Sequence, residues 1–488
     1  MRRAADILQL LDSGWHYIAA ALTVFIAAVA SIHAVLYKRD SRAAVLWVGF
    51  IWLVPLLGAI LYLMLGINRL KRHAMSLRGE MERYSSEPSI PPCAPGKLQE
   101  LLPPDAWHLC GLAELVSRVV SQRLVPGNSI EPLVNGEEAY PAMLAAIDAA
   151  QKSVGFASYI FDNDEIGGKF VEALSRATAR GVEVRVLVDA TGARYSFPPI
   201  VGRLRREGVT VARFLPTVPW RPIFINLRNH RKLLVVDGIT GFTGGMNIRA
   251  GHLVRANPKR AVQDLHFRVE GPVVAHLQEA FAADWFFTTR ESLRGETWFP
   301  QLDCKGETIA RGLSDGPDED FEKLRWTILG ALSTAKRSVL IVTPYFLPDQ
   351  AVISALNVAA MRGVDVDILL PEKNNLSYMN WATAAILWQV LERGCRVWLT
   401  PPPFDHSKLM LVDGHWSLVG SGNWDARSFR LNFEFNVECY GRELASRLET
   451  LAREKQKQAR QITLKDVDSR SFPVKVRDGV ARLFMPFL

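Results

Sequence analysis

Two stretches of this chain set a histidine and a lysine two residues apart and follow them with the same series of polar and small positions. The first contains His230, Lys232, Asp237, Gly244, Gly245 and Asn247; the second contains His406, Lys408, Asp413, Gly420, Ser421 and Asn423. Both obey the spacing H-x-K-x4-D-x6-G-[GS]-x-N. One such pair is as readily a solvated strand end as a site, but two copies with identical glycine and asparagine offsets leave chance little room. Imidazoles, ammoniums and carboxamides brought together suit displacement at a phosphodiester. Lys232, Lys408, Asn247 and Asn423 are expected to bind substrate and offset the charge that builds on the non-bridging oxygens of a five-coordinate transition state. One histidine attacks phosphorus; the other protonates the departing alcohol, then deprotonates the arriving one. This chemistry calls for no metal and no cofactor, and the sequence shows no clustered carboxylates to hold a metal.

The elements that must position these groups are legible around them. Leu233-Leu234-Val235-Val236 and Leu409-Met410-Leu411-Val412 are β-like, so alternation puts His230 with Lys232, and His406 with Lys408, on one face of extended chain. Asp237 and Asp413 belong to the catalytic set as members of the motif, although an Asp-Gly turn position favours holding the fold. A wider repeat surrounds the motif. Lys152-Ser153-Val154 leading to Ser158-Tyr159-Ile160-Phe161 is echoed by Arg337-Ser338-Val339 leading to Thr343-Pro344-Tyr345-Phe346. Arg180-Gly181-Val182-Glu183-Val184 is likewise echoed by Arg362-Gly363-Val364-Asp365-Val366, the mark of a helix stopped by glycine and feeding a buried strand. The fold class is therefore α/β: two pseudo-twofold-related lobes of mixed β-sheet flanked by helices, over residues 121–295 and 296–488.

The N-terminal portion is different in kind. Residues 17–37 and 43–67 are apolar runs long enough to span a bilayer, so residues 1–75 are expected to form a two-helix transmembrane hairpin kinked at Pro55. His33 lies near the end of the first run and is expected to be structural. Arg2, Arg3, Arg69, Lys71, Arg72 and Arg78 flank the hairpin, against Lys38, Arg39 and Arg42 in its turn, which places both flanks on the cytoplasmic side. Residues 76–120, with a Pro- and Ser-rich stretch at 85–104, are expected to form a linker. The net charge of +8 favours an anionic partner, nucleic acid or acidic lipid. Five cysteines without a C-x-x-C pair fit a reducing compartment. The charged stretch 442–465 is expected to be a helix packed on its own domain, with a membrane-surface helix as the alternative.

With these residues in view, the chain resembles the phospholipase D superfamily and, within it, the bacterial cardiolipin synthases. The resemblance rests on Arg39-Asp40-Ser41-Arg42, Trp52, Pro55, Gly58, Tyr62 and Gly66 in the anchor, and on Asn229-His230-Arg231-Lys232, Asp264 and Gly271-Pro272 in the first lobe. In the second lobe it rests on Thr343-Pro344-Tyr345-Phe346, Gly420-Ser421-Gly422-Asn423, Asp425, Arg427-Ser428, Leu431-Asn432 and Glu434, and it extends to the hydrophobic tail at 482–488; Trp424 and Ala426 depart from it. The resemblance implies a phosphatidyl group passing from one phosphatidylglycerol to a histidine and then to a second phosphatidylglycerol, giving cardiolipin and glycerol. It implies His230 as nucleophile and His406 as general acid/base, with the reverse assignment open, and Asp264 and Glu434 as carboxylates that orient the histidines. It further implies an anionic phospholipid substrate, no nucleic-acid partner, and a multi-pass protein of the bacterial cytoplasmic (inner) membrane. A hydrolytic phospholipase D, or a nuclease, using the same half-sites is the competing reading. Oligomeric state is left open.

Overall fold

The computed structural model describes residues 2–38, 41–66, 93, 95–216, 227–256, 261–317 and 322–485. Arg39, Arg69, Lys71, Arg72 and Arg78, the stretch 85–92 of the linker and the tail at 486–488 lie outside the described residues. The chain divides into two units, 1–76 and 77–488.

In the first unit, the helix Arg2–Tyr37 contains the 23-residue run Trp15–Tyr37, long and apolar enough to cross a membrane. The second apolar stretch of the hairpin is made of shorter helices than the first, divided at the expected kink. The helix Ser41–Leu53 stops at Val54, whose backbone leaves the helical region (φ −137°, ψ 77°), and a new helix, Pro55–Leu61, starts on the proline. Proline has no N–H for the carbonyl of Ile51 and is at home in a first helical turn, so Pro55 ends one helix and begins another. The bend is tight: a Cβ on Gly58 would lie 2.8 Å from both Ile51 Cα and the Phe50 carbonyl oxygen, so the contact requires glycine. The helix Ser41–Leu53 has 13 residues, about 20 Å, and the piece after it is no longer, both short of a hydrocarbon core of about 30 Å. His33 is structural, as expected: its Nδ1 shares a 2.8 Å hydrogen bond with the hydroxyl of buried Tyr62.

The second unit is built on one sheet. The first lobe contributes β1 (Val125–Val134), β2 (Ser153–Ser158), β3 (Glu183–Asp189), β4 (Val211–Phe214), β5 (Arg228–Asn229), β6 (Leu233–Val236), β7 (Thr240–Gly244), β8 (Val262–Gln263) and β9 (Leu265–Glu270). The second lobe contributes β10 (Thr308–Asp315), β11 (Ser338–Val342), β12 (Phe346–Leu347), β13 (Asp365–Pro371), β14 (Arg396–Thr400), β15 (Phe404–Asp405), β16 (Leu409–Val412), β17 (Trp416–Gly420), β18 (Trp424–Asp425), β19 (Asn432–Tyr440) and β20 (Arg460–Ile462). The order β1-β9-β7-β6-β2-β3-β4 of one lobe recurs as β10-β19-β17-β16-β11-β13-β14 in the other. In both, the far strands are parallel and the near ones antiparallel, and antiparallel β1 and β10 join the lobes into one sheet.

Period-2 alternation assigns each strand face. Leu233 and Val235 of β6, with Leu409 and Leu411 of β16, enter one core shared by the lobes, while Leu234 and Val236, and Met410 and Val412, face separate outer cores. The shared core also takes Leu277, Phe281 and Trp285 from the helix Val274–Thr289 and Leu444, Leu448 and Ala452 from the helix Arg442–Gln458. The charged C-terminal stretch therefore packs on its own domain. The linker expectation fails from residue 95 onward. Leu109, Leu112, Ala113 and Val116 form the apolar stripe of the helix Leu109–Val119 and are buried with Ile328, Ala331 and Leu332 of the second lobe. His108 Nε2 lies 2.6 Å from Asp413 Oδ2 and fastens this segment down.

Candidate active site

Both motif histidines sit just ahead of their strands, at the point where the lobes meet, and what holds each one comes from the opposite lobe. β5 runs parallel to β19, pairing Arg228 with Asn432 and Asn229 with Phe433, so the His230 N–H reaches the Phe433 carbonyl at 2.9 Å. β15 runs parallel to β8, and the His406 N–H reaches the Gln263 carbonyl at 2.7 Å. The next residue along each partner strand is the acid. His230 Nδ1 donates to Glu434 Oε2 at 3.0 Å, and His406 Nδ1 donates to Asp264 Oδ2 at 2.8 Å. The carboxylates that meet the histidines are thus exchanged between lobes. Donation from Nδ1 leaves each Nε2 to do chemistry.

The lysines close the same space. Lys232 Nζ donates to the His230 carbonyl at 2.6 Å, and Lys408 Nζ donates to that of His406. All four side chains are nearly buried; His230 and His406 keep 8 % exposure. Burial lowers both ammoniums, Lys232 to about 7 and Lys408 to about 8. Burial, with the charges of Lys232 and Lys408 and against the pull of Glu434, lowers His230 to about 4. His406 is held well below its ordinary value by burial, then by Lys408, Lys232 and His230. Each histidine therefore responds to charge in the other half-site. Glu434 is held at about 2, because His230, Lys232 and the Ser421 hydroxyl outweigh its burial. Asp264 is raised by burial despite Lys408.

The two aspartates of the motif are not at this point, and grouping them with the catalytic residues is corrected. Asp237 stands at the far end of β6 from His230, where its carboxylate accepts the N–H groups of Gln151, Lys152 and Ser153. Asp413 does the same for Lys336, Arg337 and Ser338. Both have positive φ (53° and 54°), and they tie the turn after one strand to the start of its neighbour. Asn247 and Asn423 are buried. Asn247 Oδ1 accepts the Ile160 N–H at 3.1 Å, while Asn423 Oδ1 has no partner among the described residues.

Sequence reasoning missed several neighbours. The Tyr159 ring lies edge-on to His230 at 5.1 Å with Lys232 Nζ over it at 5.5 Å, and Tyr345 stands edge-on to His406 at 6.3 Å. Both tyrosines fall in the paired segments Ser158–Phe161 and Thr343–Phe346, a signal that was available. Ser421, Ser428 and Asn432 all donate to Glu434. Arg231, the middle residue of the first motif, points the other way into a buried 2.7 Å pair with Asp284.

A histidine and lysine from each lobe, crossed carboxylates and a shared mixed sheet define a two-lobed phospholipase D-like enzyme. A family described as "Cardiolipin synthase, PLD-like domain" matches residues 143–285 and 328–455, and a phospholipase D-nuclease N-terminal family matches residues 25–66. A cardiolipin synthase of Listeria innocua is 30% identical over 96% of this chain and 97% of its own length. The major cardiolipin synthase of Bacillus subtilis is 31% identical over 92% and 95%. Among solved structures, the phosphatidylserine synthase of Haemophilus influenzae shares the fold, with a TM-score of 0.60 at 14% identity over 77% of this chain and all of its own. The chain belongs to the phospholipase D-like cardiolipin synthase family.

Proposed function

We propose that this enzyme is a membrane-associated cardiolipin synthase whose donor and acceptor are both phosphatidylglycerol. The observation that carries the reading is the crossed pair His230–Glu434 and His406–Asp264, flanked by two buried lysines. It joins two imidazoles and two cations at one point between the lobes. In the first step His230 Nε2 attacks the donor's phosphorus; the P–O bond to glycerol breaks and His406 supplies the proton to the leaving oxygen. In the second step the acceptor's terminal hydroxyl attacks the same phosphorus; the P–N bond breaks and its proton returns to His406. One phosphodiester is consumed and one is formed, so no nucleotide is spent.

A His230 lowered to about 4 is neutral at pH 7, which suits the nucleophile. The acid must carry a proton, and the arriving phosphodiester anion favours the imidazolium form of His406. Lys232 and Lys408 in their ammonium form, with Asn247 and Asn423 as substrate contacts, offset charge on the non-bridging oxygens. Basic residues support a catalytic body on the cytoplasmic face of the bacterial inner membrane. With two crossings, Arg2, Arg3, Arg69, Lys71, Arg72 and Arg78 outnumber Lys38, Arg39 and Arg42; with one crossing, Arg2 and Arg3 face all the others. Both countings place the body on the same side.

The test is purified enzyme with phosphatidylglycerol in micelles. Cardiolipin and glycerol are the expected products. Phosphatidic acid as the main product would overturn the reading in favour of hydrolysis.

A further inference from the structure

Arg228 precedes His230 by two residues on extended chain, so its side chain leaves on the histidine's side. It donates from Nη1 to the Tyr159 hydroxyl at 3.1 Å, and Tyr159 is the ring that lies against both His230 and Lys232. The buried Nε of Arg228 has no acceptor among the described residues. A second guanidinium approaches from the other lobe. Arg427 lies on the short helix Ala426–Arg430, immediately before β19, the strand that pairs with β5 at Asn432 and Arg228. Burial lowers the pKa of Arg427 and the Arg228 charge lowers it further, against the opposing pull of Asp425 and Tyr159, so the two cations stand within electrostatic reach of each other. Two arginines drawn together beside a catalytic pair repel, and an anion between them removes that cost.

We infer that Arg228 and Arg427 form a second anion subsite that holds the phosphodiester of the acceptor lipid while its hydroxyl attacks phosphorus on the histidine. The inference rests on the cardiolipin-forming reading above. That reaction places two phosphodiester anions in one site, joined in the product only by a glycerol bridge. The lysines serve the reacting phosphate. The second phosphate needs a cation of its own, and guanidinium is the group whose fork matches two phosphate oxygens. A neutral acceptor has no such need. Glycerol, the first leaving group, must also be able to attack the phosphohistidine, since that is the first step run backwards.

Competition between these two acceptors is the experiment. Enzyme in phosphatidylglycerol micelles receives isotope-labelled glycerol, and cardiolipin formed is divided by label exchanged into phosphatidylglycerol. For R228Q and R427Q the ratio falls at least ~10-fold, as expected for losing a charge-assisted contact, and R228K and R427K fall between. Exchange is the internal control, since only a folded, phosphorylatable site performs it. A ratio that stays at the wild-type value overturns the inference, whether both rates persist or both decline together. A wild-type enzyme that exchanges glycerol yet makes no cardiolipin would instead sink the function proposed above.

Discussion

The two half-sites share one register and differ in how tightly they hold their carboxylate. Gly244 stands opposite His266 and Gly420 opposite Asn436, so Asp264 and Glu434, each two residues earlier, occupy equivalent places in β9's approach and in β19. Glu434 accepts from His230, Ser421, Ser428 and Asn432. Asp264 accepts from His406 and the Leu265 N–H. Part of the difference traces to the Gly/Ser position of the motif, the rest to Ser428 and Asn432 beyond it. Ser421 supplies a hydroxyl 2.6 Å from Glu434, whereas its counterpart is Gly245, where a Cβ would lie 2.2 Å from Asp264 Oδ1. One lobe donates to its carboxylate, and the other makes room for it.

That contrast bears on which histidine forms the covalent bond. A phosphorylated imidazole ring carries positive charge and gains most from a carboxylate that is firmly ionised, as Glu434 is. A general acid/base must release its proton as readily as it takes it, which suits the more loosely held Asp264 partner. The largest expected effects test this directly. His230→Ala and His406→Ala each lower cardiolipin formation at least ~10³-fold, but with labelled donor only the His406→Ala enzyme accumulates phosphatidyl label. Label trapped on His→Ala at 230 would reverse the roles.

Next come the carboxylates. Glu434→Gln is expected to cost ~10³-fold in kcat and Asp264→Asn ~10²-fold, because the amide leaves the nucleophile without its counter-charge. A larger loss in Asp264→Asn would break the asymmetry. Ser421→Ala, which removes one donor to Glu434, is expected to cost ~10-fold and to raise the Glu434 pKa. The signs for pH follow from the same groups. His230, lowered to about 4, loses nucleophilicity below that value, while Lys232 and Lys408 lose their protons above about 7 and 8. A profile of kcat/KM is therefore expected to fall on the acid side with His230 and on the basic side as His406, held below its ordinary value, and then the two lysines lose their protons. The basic limb of kcat lies higher, since bound phosphate favours the ammoniums. A profile still rising above pH 9 would contradict charged lysines.

Local periodicity and repetition made the lobes, the strands around each motif and the candidate site residues legible in the sequence. The crossing was not, because it depends on β5, β8 and β15, two-residue strands with no periodic signature, which bring side chains together across 204 residues at one half-site and 142 at the other. Asp264 and Glu434 were visible as acids after each motif, but not as one another's exchange. Pro55 announced a bend, whereas the close packing of Gly58 on Phe50 and Ile51 is a tertiary fact. The apolar stripe at Leu109, Leu112, Ala113 and Val116 was present in the sequence and was obscured by the proline-rich stretch before it.

The smallest expected effect separates the two motif aspartates. Asp237 and Asp413 make the same backbone bonds, but only Asp413 also receives His108, from the segment ahead of the first lobe. The pair is nearly buried, with side-chain exposures of 8% and 0%. His108→Ala leaves the Asp413 carboxylate with its backbone donors while loosening the helix Leu109–Val119 from the second lobe. Its expected cost is about 1–3 kcal/mol of unfolding free energy, the range for a hydrogen bond to a charged group, with kcat held within about twofold. Thermal unfolding and cardiolipin formation on one preparation check both halves. A kcat that falls as steeply as those of the histidine variants would mean that Asp413 communicates with the reacting phosphate, and the division of the motif into a reacting end and a holding end would be wrong.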